Sequence, residues 1–430
     1  MPARLKYGQQ SEILVPVDTS CRLTHYGLPT LAAVADLAST VQTALHHPRD
    51  FPPLAAATVP GDQIVLAVDP QLPQVATIVP AICKYLLAQN VDAARLTVLL
   101  DGAAQAQLAQ LRQIWPAESS DAPTLALHHP DQRNDLGYLA ADESAAPIYF
   151  NRRLLDADLI IPVGCASWTN SNSTTDLTGK TPVQRSLLYP EFSDLAARGR
   201  AINASLANLT KSPKPLKSAK PPKSGKAPEI THSPDWLLGV QFCVQVVPGP
   251  AGDVLAVSAG MLDSVCQWGA DFGRQAWGAG LRTPVPLVIA GLNGATSSSW
   301  ENVVLQLARY LQYVKRGGSL ALYTDLSVMP PAGVLEWAQS GFADEVPEVL
   351  EREKVPGWQM AKILQNAREH ARLALASELP EHLVSDLGWH PLVEDEDLQR
   401  LCETAASGCV FHHAEFVDLE PLPQPTAGRN

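Results

Sequence analysis

The sequence predicts an α/β protein built from two domains, each with a mainly parallel sheet. Two observations predict this class. Short, nearly continuous apolar runs are followed by segments whose apolar residues recur at helical spacing, which is typical of parallel strands covered on both faces. The chain has 430 residues. This is about three times the length of a common domain, so two or three domains are expected.

The first domain is predicted over residues 1–283, where strands and helices alternate. Its predicted strands lie at 64–68, 96–100, 124–127, 159–163, 236–247 and 254–258, and its predicted helices at 75–89, 103–115 and 262–277. In a parallel sheet the ligand site lies beyond the carboxyl ends of the strands. Here those ends are the segments 69–72, 101–104 and 164–169.

A second, smaller α/β domain is predicted over residues 284–430, after the turn-forming segment Pro284-Val-Pro286. Its predicted strands lie at 287–291, 319–323 and 373–376, and its predicted helices at 302–314, 360–369 and 398–406. The segment Lys315-Arg-Gly-Gly318 predicts the turn that ends the first of these helices.

One segment departs sharply from this composition. From Lys211 to Lys226 lysine occupies every third position, prolines are frequent and no acidic residue occurs. Such a segment buries too little apolar surface to offset the entropy of ordering, so residues 206–232 are predicted to be a disordered insertion. The alternative is a tether for an acidic partner or nucleic acid, since in polyproline II the lysines would line one edge.

Composition excludes several other classes. The net charge of −12 argues against a general nucleic-acid binder, because phosphate contacts need a basic face. No run of about 18 apolar residues predicts a membrane span, and the first eight residues lack the apolar stretch of a secretory signal. The seven cysteines are scattered and never spaced C-x-x-C, as expected in a reducing compartment. A cytoplasmic location is therefore expected.

Familiar catalytic motifs are missing from the sequence. Gly179-Lys180-Thr181 lacks the earlier glycine of a phosphate-binding loop, and neither G-x-S-x-G nor H-E-x-x-H occurs. Three pairs of adjacent histidines do occur, at 46–47, 128–129 and 412–413. Adjacent residues of a strand point to opposite faces, so these pairs are interpreted as surface or hydrogen-bonded core residues rather than chelates.

Several segments in a fixed order resemble one known family. They are Leu5-Lys-Tyr-Gly8, 61–69, 96–102, the Pro147–Gly164 stretch with Asn151-Arg and Asp156-Ala-Asp158, 253–263, 289–291, 314–318 and 357–361. On these segments the chain resembles the nickel-dependent lactate racemases over most of its length. The resemblance implies a cleft between two domains, where a nickel-pincer nucleotide acts on a 2-hydroxy acid. It also implies two acid/base histidines, a cofactor lysine and a histidine that ligates nickel.

The positions matched to the racemase site carry other residues. Asp69-Pro-Gln-Leu72 keeps the family's acid without its arginine, and 102–105 lacks the first catalytic histidine. The Ser167-Trp168-Thr169 segment lacks the second. Lys180 and Arg185 are the candidates for the cofactor lysine, and an arginine is not deprotonated to act as a covalent tether.

Further positions depart in the same way. No histidine lies between Arg185 and His232, and Glu301 and Val304 stand where the family has a substrate-binding glutamine and lysine. The resemblance therefore implies a family member that binds a small organic acid or cofactor-like ligand in its cleft. The implied pincer chemistry is lost, so no cofactor, no metal ligand and no catalytic residue are predicted.

Two other interpretations stay open: a racemase or epimerase of another hydroxy acid that uses substituted acid/base groups, and a non-catalytic interaction protein that uses the lysine-rich segment. The candidate ligand-binding residues are Asp69, Asp101, Trp168, Thr169, Lys180, Arg185, Trp300 and Glu301. Trp300 and Glu301 are expected to face the first-domain residues across the cleft.

Overall fold

Two six-stranded sheets organise the described part of the chain, which is seen in a computed structural model. The structure describes residues 4–16, 21–116, 119, 121–142, 144–168, 186–210 and 233–419. The strands are β1 Arg4–Tyr7, β2 Ser11–Leu14, β3 Arg22–Tyr26, β4 Ile64–Val68, β5 Leu96–Asp101, β6 Thr124–His128, β7 Leu136–Ala141, β8 Pro147–Asn151, β9 Leu159–Cys165, β10 Phe242–Pro248, β11 Val254–Met261, β12 Gly278–Ala279, β13 Val285–Gly291, β14 Val314–Tyr323, β15 Arg372–Ala376, β16 His390–Pro391, β17 Ser407–Phe411 and β18 Asp418–Leu419.

Helices cover the faces of these sheets. They are α1 Leu37–His46, α2 Val75–Ala88, α3 Gln105–Ile114, α4 Arg152–Leu155, α5 Leu195–Thr210, α6 Pro234–Leu237, α7 Leu262–Trp277, α8 Trp300–Leu311, α9 Ala332–Gln339, α10 Val346–Glu353, α11 Trp358–His370, α12 Glu381–Asp386 and α13 Asp395–Glu403. None of the helices within the described ranges is long and apolar enough to cross a bilayer. The α/β class predicted from the sequence is confirmed.

The first sheet has the strand order β11-β10-β9-β4-β5-β6 and is parallel except at its β11 edge. All five residues of β4 are buried, as the continuous apolar run predicts. Alternate side chains of β4 enter two different cores. Ile64, Leu66 and Val68 pack with α1 and α2, whereas Val65 and Ala67 pack under the β7–β8 hairpin.

The second sheet has the strand order β16-β15-β14-β13-β17-β3, and each of its pairings is parallel. Its β3 edge comes from the start of the chain, and Leu5 of β1 and Ile13 of β2 share a core with Ile289 of β13. Residues 4–16 and 21–26 therefore pack with the second sheet. The sequence-based prediction grouped these residues with 1–283, because strand pairing over such a separation leaves no local signal.

Three predicted elements also need correction. Trp236 begins no strand, because Ser233 caps and Pro234 starts the short helix α6. The predicted turn at 315–318 lies inside β14, which passes Gly317 at φ 78° and shifts register against β13. Helix α5 continues to Thr210, so the first residues of the predicted insertion are helical. Residues 211–232, with the lysine-rich segment, lie outside the described residues.

Candidate functional site

A cleft of about 850 Å³ opens between the two sheets, at the carboxyl ends of strands from both. The first domain contributes the loops that follow β4 and β5, at 70–73 and 103–107, and the segment 248–252. Facing them are the β1–β2 hairpin and the segments that follow β13 and β17. Carboxyl ends of parallel strands are where α/β proteins usually place ligands, so this cleft is the candidate site.

The loop at 412–417, which follows β17, is held firmly by its neighbours. The Ala414 N–H donates to Gly291 O at 2.9 Å, and the Tyr310 hydroxyl donates to Ala414 O at 2.7 Å. The guanidinium of Arg309, also on α8, donates to the carbonyls of Ala414, Glu415 and Val417. Because both strand β13 and helix α8 fix its backbone, this loop presents its side chains to the cleft in a set geometry.

His413 and Glu415 of this loop form a pair in the wall of the cleft. His413 Nδ1 lies 3.9 Å from Glu415 Oε1, and the two side chains are only 10% and 6% exposed. Burial raises the pKa of Glu415 to about 8, although the Asn293 N–H at 3.3 Å and the Arg309 charge act in the opposite direction. Burial, with the charge of Lys6, lowers the pKa of His413 to about 4. Both groups are therefore uncharged near neutral pH.

Lys6 of strand β1 supplies a positive charge to the same cleft. It is exposed, it lines the cavity, and its charge acts on His413. The hairpin that carries Lys6 is anchored to the second domain, because the Gly8 N–H donates to Leu292 O at 2.7 Å and Gly8 O accepts from the Gly294 N–H at 3.2 Å. A cation and two uncharged titratable groups thus share one wall.

Asp69 and Asp101 lie behind the first-domain wall as part of a partly buried cluster of charged residues. Asp69 accepts hydrogen bonds from the Gln71 and Cys165 N–H groups at 2.7 and 3.3 Å, and burial raises its pKa. Asp101 pairs with Arg198 of helix α5 and accepts from the Ala103 N–H at 2.9 Å. The two aspartates shape the loops that line the cleft, and their carboxylates bond to protein groups.

Glu191 belongs to this cluster and was not found from the sequence. Its pKa is raised to about 7 by burial and by the charge of Asp69, and lowered in part by Arg198. The Arg198 guanidinium also donates to Glu191 O. Among the described residues of the cluster Asp69, Asp101, Glu191 and Arg198, the cation is Arg198. The predicted ligand-binding residues Thr169, Lys180 and Arg185 lie outside the described residues.

Trp168 joins the two domains. Its indole Nε1 donates to Phe416 O at 2.8 Å, and its ring stands 6.0 Å from the Phe416 ring. The indole also packs closely on Gly273 of α7, where an added Cβ atom would lie 2.1 Å from it. The side chain is 3% exposed, so Trp168 acts in domain packing and its one donor is already used.

Trp300 and Glu301 do not face the cleft as predicted. Trp300 is 2% exposed in the core of the second domain, and its Nε1 donates to Val328 O at 2.8 Å. Glu301 lies in the first turn of α8 and is absent from the described residues that line the cavity. The prediction failed because an aromatic residue next to an acidic residue occurs both in cleft walls and at the start of buried helices.

Two described positions matched to the racemase site pack against the first-domain core at the cleft wall. Leu72, at the position of the family's arginine, is 3% exposed, and Ala104, at the position of its first catalytic histidine, is 8% exposed. The position of the second histidine, Thr169, lies outside the described residues. Val304 in the second domain is fully buried. Within the described ranges, no three His, Cys, Asp or Glu side chains are grouped to hold a metal ion.

Two of the paired histidines behave as interpreted, because they bond within the protein. His128 is fully buried, donates through Nε2 to Ser193 O at 3.0 Å, and accepts from Asn151 Nδ2 at 3.1 Å. His412 lies 3.0 Å from His25 across the β3–β17 edge. His413 differs because it lines the cleft beside an acidic side chain. The sequence signal that could have identified it as a site residue is the glutamate two residues further along the chain.

Comparison with known proteins agrees with this architecture. Residues 7–168 match the family model of the lactate racemase N-terminal domain. The structure of the lactate racemase apoprotein from Thermoanaerobacterium thermosaccharolyticum superposes with a TM-score of 0.71 at 13% identity, covering 98% of this chain and all of that one. A crystal structure of a protein from Thermotoga maritima gives 0.61 at 11% identity, covering 90% and 100%. No curated protein matches the chain.

The fold and cleft thus define a two-domain α/β protein with the lactate racemase architecture. Over residues 7–168, and in its overall fold, the chain is similar to the lactate racemases. The resemblance found in the sequence is confirmed.

Proposed function

We propose that this protein binds a small organic acid in the cleft between its domains, through Lys6 and the 412–417 loop. The observation that carries the proposal is the meeting of Lys6 with the uncharged pair His413 and Glu415 in one cleft wall. A lysine ammonium attracts a carboxylate, and uncharged partners nearby do not repel it.

The size and composition of the cleft support a small ligand. Its volume of about 850 Å³ falls in the range that small-molecule sites commonly have. Apolar groups such as Leu72 and Phe416 alternate along the wall with amide groups such as Gln71 and Asn293. This mixture suits a short carbon chain with one or two polar groups.

We further propose that the chain does not carry the nickel-pincer chemistry of the racemases. The described residues at two matched positions, Leu72 and Ala104, do not fit that chemistry. Leucine lacks the positive charge of the family's arginine, and alanine has no proton to exchange in place of the first catalytic histidine. Purification beside the family's cofactor-making enzymes should yield protein without stoichiometric nickel. Stoichiometric nickel after gel filtration would contradict this part of the proposal.

Calorimetric titration with lactate, malate and propionate tests the binding proposal. Wild-type protein should bind at least one of them, and Lys6→Gln should bind it about tenfold or more weakly, since a charge-assisted contact contributes about 1.5–3 kcal/mol. Lys315→Gln is the matched control, because Lys315 is exposed on β14 away from the cleft. Equal affinity of Lys6→Gln and wild type, or no binding of any acid, would overturn the proposal.

A further inference from the structure

We propose that His413 and Glu415 form a proton-exchanging site, in which His413 takes up a proton when a carboxylate binds and Glu415 stays protonated as a hydrogen-bond donor. The inference rests on the proposed function and deepens it, because it names the groups that receive the acid. It also sets the pH range in which the acid binds best. The argument depends on the geometry of the pair, on the charges around it and on its place in the cleft.

The gap between the His413 and Glu415 side chains can admit one ligand atom. The 3.9 Å between His413 Nδ1 and Glu415 Oε1 exceeds a hydrogen bond, which spans about 2.7–3.2 Å. One ligand oxygen placed beside both atoms would accept from the carboxyl group and face the imidazole nitrogen. Since both residues line the cavity, a bound acid can reach this position without moving the loop.

The loop that carries the pair is fixed before any ligand arrives. His413 has φ 49°, a left-handed conformation that costs energy for a non-glycine residue and persists only where neighbours enforce it. The enforcing contacts are the three carbonyls held by Arg309, the Tyr310 hydroxyl bond to Ala414 O, and the edge contact of the His413 ring with Trp277 at 5.9 Å. Such preorganisation is typical of binding sites.

The charges around His413 favour uptake of a proton with an anion. Lys6 on β1 disfavours its protonation, the charge of His413 in turn lowers the pKa of the adjacent His412, and Arg309 on α8 acts on Glu415. A carboxylate beside Lys6 cancels that repulsion and attracts an imidazolium. An adjacent opposite charge shifts a pKa by about 1–3 units. When the acid binds, neutral His413 takes up one proton from solvent. The product is the bound carboxylate paired with an imidazolium ion.

Glu415 completes the site in a different way. Its carboxyl group is held by the Asn293 N–H and is buried, and burial raises its pKa to about 8. Below that pH it carries a proton and can donate to a ligand oxygen. An ionised glutamate would instead repel the acid. The site therefore accepts carboxylates in weakly acidic to neutral solution and rejects them in alkaline solution.

Calorimetry in two buffers of different ionisation enthalpy measures the protons exchanged on binding. At pH 5.5, the protein should take up about half a proton for each lactate bound, given a rise of about 1–2 units in the pKa of His413. Binding of lactamide, which has the same shape and no charge, should cause no proton uptake. His413→Gln should abolish the uptake with lactate, whereas His382→Gln, at an exposed histidine of α12 outside the cleft, should retain it.

The outcomes separate this inference from the proposed function. No binding heat with lactate or the other acids in either buffer would contradict the proposed function itself. Binding of lactate with equal heats in both buffers would leave the function standing and overturn the proton-exchanging site. If His413→Gln does not fold, an NMR titration of the His413 imidazole in wild-type protein decides the question. Its titration should move to higher pH with lactate and stay in place with lactamide; an unmoved titration with lactate would overturn the inference.

Discussion

Trp168 of the first domain donates its indole N–H to Phe416 O of the second at 2.8 Å. The Phe416 ring also packs on Trp277, at 5.2 Å between centroids, so three aromatic residues join α7, the end of the first sheet and the 412–417 loop. His413 and Glu415 stand in that loop. The contact that joins the domains therefore also sets the position of the candidate binding groups.

Trp168→Phe should weaken binding of an acid in the cleft as well as stability. Loss of the hydrogen bond costs about 1–2 kcal/mol because Phe416 O is left without its partner. Trp300→Phe removes a similar bond, to Val328 O, entirely within the second domain. Thermal melts and titrations should show a loss of stability in both variants and a loss of affinity in Trp168→Phe alone. Equal affinities in the two variants would show that the domain contact does not position the loop.

Gly273→Ala tests how tightly α7 packs on Trp168. A Cβ at this position would lie 2.1 Å from the indole, so the helix or the ring must shift, at a cost of about 1–3 kcal/mol. Gly199→Ala is the control, because Gly199 is also helical and a Cβ there would meet nothing within 4 Å. Alanine at position 199 should stabilise by up to about 1 kcal/mol. Chemical denaturation measures both, and a neutral Gly273→Ala would contradict the tight contact.

Much of the fold was predictable because strands of a parallel sheet are buried on both faces. The runs that became β4, β5 and β9 are continuous apolar segments, and such segments are identifiable without any tertiary information. The cleft residues were harder to predict. Lys6 and His413 lie at opposite ends of the chain and meet only because β1 and β17 both pack beside β13. No local pattern reports such a meeting.

The sequence leaves a residue's role open where one residue type serves two purposes. Trp300 is a core residue because Ser299 starts α8 just before it, through a hydrogen bond to the Asn302 N–H, and turns the indole into the second domain. Asp101, a candidate ligand-binding residue, pairs through its carboxylate with Arg198. An acidic side chain at the end of a strand can bind a ligand or pair with another side chain of the protein. Here the pairing side chain comes from a helix that is distant in the sequence.

Asp101→Asn should destabilise the first domain strongly. The Asp101–Arg198 pair is largely buried, and the substitution removes a charge-assisted hydrogen bond there, at a cost of about 1.5–3 kcal/mol. Asp271→Asn breaks the exposed pair with Arg274 and should cost less than about 1 kcal/mol. Urea denaturation of both variants provides the comparison, and similar small losses would mean that the Asp101 pair is solvated.

Glu415→Gln should make stability less dependent on pH between about 5 and 8. The pKa of Glu415 rises from its ordinary 4.5 to about 8 on folding, so the folded state holds this proton more tightly. Its stabilising contribution is complete below about pH 4.5 and is lost as the pH rises toward 8. His413, with its pKa lowered from 6.5 to about 4, acts oppositely and costs stability as the pH falls through that range.

The variant should therefore melt near the wild-type temperature at pH 5 and above it at pH 8. The exposed Glu353→Gln serves as the control for the charge change and should show no such divergence. A wild-type protein that gains stability over the Glu415→Gln variant as the pH rises would show that Glu415 is ionised and well paired in the fold.

The most direct test of acid binding in the cleft is a crystal structure of the protein with lactate or propionate bound. The expected result is a carboxylate within hydrogen-bond distance of Lys6 Nζ, and a ligand oxygen or carbon chain against His413 and Glu415. A ligand found instead at Arg198, among Asp69, Asp101 and Glu191, or an empty cleft at concentrations that saturate binding in solution, would contradict the account.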